Sequence, residues 1–450
     1  MYLKTKQPLL LEKLFVWSVV LEPMLYFLLF NVNITGFGTN LSRLLQVLVI
    51  IGLLFRLLIR RGNIFFPNPI NNQYLFIWLY FISIIFSTIL GLTLFNSYDF
   101  QLNNRIVSRP IIEVIIIIYT IVYFIFFTIY FLKEKKVIDY FFKIFHRLFL
   151  LSFIIGLLDF GGQYFFKYDL ISRHLIDSAD VGMRFHGLFG EPRDAFGALM
   201  LWIAMFYLRD YWTAKKGTNI KVVFLIFIVG LLTFSLSAIV SIIFSTSLII
   251  VFGFKYLSSL HKIKLFCLLL IVATITSVSV AKSLRLEKYV GSLGSLYKEL
   301  SENKQISGRY KDQRVDVVPL WERWTEVREF NIIPTIIGTG IASSSFANMR
   351  HKLSIDYGSD VYYDIESPRS NFVRIFFDTG ILGVFLFIFI FLSVLRMNNI
   401  KSNRILILTL ILLGCFFAHR SYIPFIFLGV LISVIKQKKL SSLVRIESDN

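Results

Sequence analysis

The stretch Ile111–Leu132, IIEVIIIIYTIVYFIFFTIYFL, is apolar along almost its whole length and includes the run Tyr123-Phe124-Ile125-Phe126-Phe127. A helix needs about 20 such residues to cross a hydrocarbon core. A helix apolar on nearly every side belongs in lipid or deep inside a bundle. Working outward, comparable runs lie near 14–30, 41–59, 74–95, 144–160, 194–212, 220–236, 238–255, 265–281, 371–395, 405–418 and 421–435. The expected fold is therefore an all-α polytopic membrane protein with about twelve transmembrane helices. One long segment, Lys282 to Pro368, interrupts the series. The chain divides into 1–281, with nine spans and a short outer loop at 161–193, then 282–368, then 369–450 with three spans and a tail. No repeat of 20–50 residues is visible.

Composition agrees with this class. Hydrophobic residues make up 56% of the 450 residues, aromatics 17%, and mean hydropathy is +0.70. Ordinary soluble domains stay near 45–50% apolar, so soluble enzyme classes are set aside. The net charge of +19 would suggest nucleic acid in a soluble protein. Here the basic residues follow topology instead. With the N-terminus inside, Lys4, Lys6 and Lys13, then Arg60 and Arg61, then Lys133, Lys135 and Lys136, and finally Lys436, Lys438 and Lys439 fall on cytoplasmic segments. The outer loop at 31–40 has no Lys or Arg. This is the positive-inside pattern, with basic ends placed against anionic lipid and no nucleic-acid partner. The first apolar run lacks a small-residue cleavage motif, so no cleavable signal peptide is expected.

Cys267 and Cys415 both fall in apolar runs and read as packing residues. The six histidines have no metal-ligand spacing, so no metal site is expected. Ser237, Ser241 and Ser245 recur every four residues and offer a small face for close helix packing. Glu22, just before Pro23, is a carboxylate inside an expected span and so a functional candidate whose partner is not legible.

Chemistry is expected on the outward side. Met183 to Asp194 is a glycine-broken segment that carries Arg184, His186, Glu191 and Arg193. The long segment has nearly balanced charge and suggests short helices over Ser292–Asn303 and Val315–Phe330, with a tight turn at Pro334 and Gly338-Thr339-Gly340. Arg309 and Arg314 lie within it, and Arg369, Asn371 and Arg374 open the next span. Arginine grips phosphate through a planar, bidentate fork and keeps its charge. A collar of such residues suits a lipid-linked pyrophosphate; the plainer reading is arginines snorkelling to headgroups.

Several stretches resemble a family. Arg184-Phe185-His186-Gly187-Leu188-Phe189-Gly190-Glu191-Pro192 is similar to an Arg-x-x-Gly-x-Phe-x-Glu-Pro segment. Leu231 to Ala238 is similar to a Thr-x-Ser-x-Ser span, with Leu236 where an arginine is usual. Ser307-Gly308-Arg309, Ile337-Gly338-Thr339-Gly340, and Ser370-Asn371 followed by Asp378-Thr379-Gly380-Ile381-Leu382-Gly383 complete the order. Together they resemble the bacterial Wzy-type polysaccharide polymerases and the related O-antigen ligases across nearly the whole chain. A His before the re-entry helix, usual in ligases, is missing from Ser367-Pro368-Arg369-Ser370-Asn371, which favours the polymerase.

The resemblance implies a GT-C-like membrane glycosyltransferase with a large, mostly helical periplasmic loop. It implies a place in the bacterial cytoplasmic membrane, with both termini in the cytoplasm. The substrate would be an undecaprenyl-diphosphate-linked oligosaccharide, extended toward O-antigen, capsule or exopolysaccharide. Partners would be membrane lipids, a flippase and a chain-length regulator; no cofactor is implied. Arg184 with His186 or Glu191 would serve catalysis, and Arg309, Arg369, Arg374 and Asn371 would hold the lipid diphosphate. A ligase-type transferase and a lipid-linked oligosaccharide transporter are the alternatives.

Overall fold

The computed structural model describes residues 8–24, 32–34, 37–39, 41–60, 74–93, 108–166, 184–190, 192–214, 220–233, 235–259, 262, 332–343, 370–396, 403–418 and 422–448. In chain order the elements begin with α1 (Leu10–Val20), the hairpin β1 (Val32–Ile34) and β2 (Phe37–Thr39), α2 (Leu41–Arg60) and α3 (Leu75–Thr93). Next come α4 (Ser108–Ile121), a π-helical turn (Val122–Phe127), α5 (Thr128–Phe131) and α6 (Lys135–Phe166). Then follow α7 (Pro192–Thr213), α8 (Ile220–Leu231), α9 (Leu236–Leu248) and the short α10 (Ile333–Ile337). The last are α11 (Asn371–Arg396), α12 (Asn403–Ala418) and α13 (Ile423–Ser448). Apart from the hairpin, in which Val32 faces Thr39 and Ile34 faces Phe37, the regular structure described is helical.

Five of these stretches are long and apolar enough to cross a membrane: Leu75–Thr93, Pro110–Phe131, Lys135–Phe166, Ala238–Tyr256 and Asn371–Arg396. Lys221–Leu231 and Arg404–Ala418 are apolar but shorter. Every expected span except 265–281, which lies outside the described residues, overlaps a helix. The first is much shorter than the expected 14–30. α1 stops at Val20 and the chain turns through Leu21–Met24, because Pro23 lacks an amide proton and its ring obstructs a continuing helix. Of the long segment 282–368, only 332–343 is described, so the helices expected at 292–303 and 315–330 lie outside.

The helices are inverted relative to those of a soluble protein. On α3, Trp78, Ile82, Ile85, Phe86 and Ile89 point outward, whereas Ser83, Ser87 and Gly91 face inward. The inward serines bond back to carbonyls of their own helix, Ser83 to Tyr80 and Ser87 to Ile84. On α2, Val47, Leu48, Ile51, Leu54, Phe55 and Leu58 are likewise exposed. Apolar surface on this scale is not left facing water, and small residues inside let backbones approach. The chain is a membrane protein.

The chain forms two compact units. Unit 1 comprises 1–75, 116–249 and 390–450; unit 2 comprises 76–115 and 250–389. In unit 1, α1 packs on α2 and α6, and α12 packs on α9 and α7. Its core is aromatic: Phe15 stacks on Phe131 at 4.5 Å and Phe145 on Phe149 at 4.1 Å between ring centroids. Two of the serines on the expected packing face, Ser241 and Ser245, are buried. Ser245 donates to the Ile411 carbonyl at 3.0 Å. A Cβ on Gly414 would lie 2.2 Å from the Ser245 hydroxyl, so α9 and α12 touch through small residues. Cys415 is buried on the same helix.

In unit 2, Phe76 stacks on Phe389 and Tyr80 meets Phe387 edge-on. α10 starts with Pro334 in its first turn and ends at Gly338, whose φ is +91°. The Ser370 hydroxyl accepts from the Val373 amide as α11 begins, a cap for one of that helix's open donors. α11 is broken at Gly380 (φ 68°, ψ −171°), a backbone region that is essentially glycine-only.

Candidate functional site

Buried polar sites interrupt the apolar interior of both units. The first in unit 1 answers the question left by Glu22. Its carboxylate is 3% exposed and takes the Arg43 Nη2 donor at 2.8 Å and the Gln46 amide at 2.7 Å. Tyr119 donates in turn to the Gln46 carbonyl oxygen. The Arg43 guanidinium lies 5.6 Å from the Tyr119 ring centre and 5.3 Å from that of Tyr422. A carboxylate in lipid must be neutralised or paired, and here the pair and the aromatic faces do both.

The second site in unit 1 is built on α6 by the segment Arg184–Gly190. Phe185 and Phe189 are fully buried anchors. Gly156 makes room on α6, since a Cβ there would sit 2.7 Å from the Phe185 ring. Gly187 adopts φ +54° against the Ser152 carbonyl. Irregular backbone at membrane depth survives only where the protein satisfies its polar groups. The Arg184 amide donates to Gln163 Oε1 at 3.1 Å, the Phe185 amide to the Leu232 carbonyl at 3.1 Å, and the Leu188 amide to Ser152 Oγ at 3.3 Å.

At its centre, His186 Nε2 lies 3.1 Å from Asp159 Oδ2, and both side chains have no exposed surface. Gln163 donates to the same carboxylate oxygen at 2.7 Å, and His186 Nδ1 is 3.1 Å from the Gly187 carbonyl. Both ring nitrogens of His186 thus face protein groups. Asp159 is the only described carboxylate partner of this imidazole. Removing the carboxylate leaves the buried imidazole nitrogen without its partner, at about 1–3 kcal/mol. Asp159→Ala should therefore lower the melting temperature in detergent markedly, and His186→Ala and the double variant should fall less than the sum of the singles. Simple additivity would show that the two side chains do not interact.

The site in unit 2 gathers around the Gly380 break. Two carbonyls of α11 just before the break are taken up by the turn after α10: the Thr339 amide donates to Phe377 O and the Gly340 amide to Asp378 O, both at 3.0 Å. The Asp378 side chain receives the Ala342 amide at 3.0 Å and touches Ser343 Oγ at 3.2 Å. One turn earlier, Arg374 pairs with Glu113 and sends Nε to within 3.8 Å of Asp378 Oδ2. Glu113 and Asp378 are 3% and 1% exposed. The close fit depends on glycines: a Cβ on Gly91 of α3 would lie 2.2 Å from the Thr339 carbonyl oxygen.

The residues expected to act divide as follows. Arg184 and His186 share the α6 site, the first through its backbone amide on Gln163. Asn371 is buried in the first turn of α11, and Arg374 sits in the unit 2 site. Glu191, Arg309 and Arg369 lie outside the described residues. Sequence reasoning missed Asp159, Gln163, Ser152, Arg43 and Glu113. A signal existed for most of them. Ser152, Gly156, Asp159 and Gln163 fall on one stripe of the apolar half of α6, and Glu113 is a carboxylate inside a strongly apolar run. Among the described residues no three His, Cys, Asp or Glu side chains gather as a metal would need. Compared with known proteins, the sequence matches no family model and no curated protein.

Proposed function

We propose that this chain is a membrane glycosyltransferase of the polysaccharide-polymerase type. It would move a growing glycan from undecaprenyl diphosphate to a hydroxyl of an incoming lipid-linked repeat unit, at the outer face of a bacterial cytoplasmic membrane. The observation that supports this reading is pairwise convergence. Four short stretches that resemble the family, scattered along the chain, meet two by two in the interior. Arg184–Gly190 bonds to Leu232 in unit 1, and Gly338–Gly340 bonds to Phe377 and Asp378 in unit 2. Each meeting leaves an arginine beside irregular backbone, Arg184 in one and Arg374 in the other.

In this reading the glycosidic bond to the diphosphate breaks as the acceptor oxygen attacks the reducing-end sugar, and the diphosphate lipid leaves. Arg184, Arg309 and Arg369 offset the charge developing on that leaving group, and Arg374 and Asn371 help to hold the lipid diphosphate. The acceptor proton passes to His186 or Glu191. Asp159 orients His186 as a carboxylate orients a catalytic imidazole. With both ring nitrogens engaged, His186 reaches a substrate only when the Arg184–Gly190 segment shifts. The twelve-span topology, the periplasmic position of 282–368 and the cytoplasmic termini belong to the same proposal, as do a flippase and a chain-length regulator as partners.

A second reading is favoured by one observation. Discontinuous membrane helices with paired charges at the break are a device of transporters, and α11 is such a helix. Comparison of glycan lipids in cells with and without the protein separates the readings. Single repeat units accumulating on the outer leaflet, with long chains lost, is the expected result. Long chains that stay on the lipid carrier would mark a ligase, and repeat units trapped on the inner leaflet a transporter. Arg184→Ala, at normal membrane levels, should reproduce the loss of long chains, and Arg184→Lys should remain impaired because a point charge does not replace the fork. Full-length polymer in both variants would remove Arg184 from the site.

A further inference from the structure

The segment Arg184–Gly190 is fastened to the rest of unit 1 at several points. Phe185 and Phe189 are fully buried, the Phe185 amide donates to the Leu232 carbonyl, and the Leu188 amide donates to Ser152 Oγ. These contacts hold the middle of the segment. The end that carries Arg184 is held by Gln163 of α6, a side chain only 3% exposed.

The orientation of the Gln163 amide follows from its partners. A backbone N–H only donates, so the atom that meets the Arg184 amide at 3.1 Å is the carbonyl oxygen, Oε1. Nε2 is therefore turned the other way. It donates to Asp159 Oδ2 at 2.7 Å and lies 3.4 Å from His186 Nε2. Asp159 and Gln163 are four residues apart on α6 and so share a face of the helix. Holding a long side chain in one conformation costs rotamer entropy, and here both halves of one amide are engaged. A single planar group thus joins the main chain of Arg184 to the carboxylate that meets His186.

We propose that Gln163 is a positioning residue: its amide sets Arg184 in register with the Asp159–His186 pair, so that guanidinium and imidazole act on one substrate. The inference rests on the functional reading above, in which Arg184 meets the diphosphate of the lipid carrier. Without the amide, Phe185, Leu188 and Phe189 still hold the segment on α6, but its Arg184 end is no longer fixed. A guanidinium fork grips phosphate through two aligned bonds, so loss of alignment is loss of grip.

Binding of undecaprenyl diphosphate to the full-length protein in lipid nanodiscs tests this, in a cycle of wild type, Gln163→Leu, Arg184→Ala and the double variant. Both single variants should bind more weakly, Gln163→Leu by about tenfold, which is what one hydrogen bond is worth. The double variant should bind no more weakly than Arg184→Ala, because Gln163 acts through Arg184. Equal weakening by Gln163→Leu in both backgrounds would overturn the proposal, since a general loosening of the fold gives that result. So would wild-type binding by Gln163→Leu alongside weakened binding by Arg184→Ala, an outcome that leaves the functional reading standing. A wild-type protein that does not bind the lipid, or an Arg184→Ala protein that binds it fully, would remove the reading of Arg184 and this inference with it. Should Gln163→Leu not accumulate, Gln163→Asn, whose amide is drawn back by one methylene, takes its place in the cycle. Failure of both to accumulate would mark Gln163 as a residue of the fold and overturn the proposal.

Discussion

Gly380→Ala should all but eliminate the folded protein from membranes. At this position φ is +68° and ψ −171°, and an L residue held there is strained by about 1–3 kcal/mol. The added Cβ would lie 2.3 Å from the Ile336 carbonyl oxygen and 2.6 Å from the Gly338 amide nitrogen. Both are backbone atoms, so no side chain can swing aside. Relieving the clash means withdrawing the turn after α10, which would strip Phe377 O and Asp378 O of their partners inside a membrane. Each unsatisfied group there costs several kcal/mol, against a total stability of about 5–15 kcal/mol for an ordinary domain. Gly161→Ala, on α6, is the matched control. Its Cβ would meet nothing within 4 Å, and a helix gains from exchanging Gly for Ala. Quantitative blotting of membranes should show Gly161→Ala at the wild-type level and Gly380→Ala many-fold lower. Equal levels would mean that α11 does not need the break.

The second large effect is expected at Arg374. This guanidinium serves Glu113 directly and stands near Asp378, and its side chain is 16% exposed. Arg374→Met leaves the Glu113 carboxylate in an apolar interior with its cation removed, a loss of about 3–5 kcal/mol. Replacing both members by neutral groups is far milder than breaking the pair, so Arg374→Met combined with Glu113→Gln should recover much of the stability lost by Arg374→Met alone. Arg374→Lys should fall between, because an ammonium does not reproduce the planar fork that holds Glu113. Melting temperatures in detergent would read the series. A double variant as damaged as the sum of its singles would show that Glu113 and Arg374 do not act as a pair.

How much of this was legible can be judged residue by residue. The turn at Gly338-Thr339-Gly340 and the re-entry stretch Asp378–Gly383 stood out in the chain, as did Arg184 with His186. Their contacts did not. His186 could be singled out as a candidate base, but not that Asp159 would meet it within a fully buried segment, because the polar stripe that carries Asp159 does not say which distant segment packs on it. Glu22 was recognised as an intramembrane acid without its partner. Glu113 escaped notice because one charge in a strongly apolar run barely alters its hydropathy. The end of the first span was misjudged for a different reason: the apolar run continues past Pro23, but a helix cannot hold its hydrogen bonds there.

The sequence by itself determined the class of protein and where most helices lie, because the hydrophobic driving force is a property of each run and lipid demands about the same length from every span. It also marked the turn at Gly338, whereas the breaks at Pro23 and Gly380 fall inside runs that read as continuous helices. Only the tertiary structure decided how the buried charges are paired. Arg43 reaches Glu22 across 21 residues and Arg374 reaches Glu113 across 261. A buried charge requires a partner, but the requirement is met by position in space, and position in space is set by the packing of every other helix.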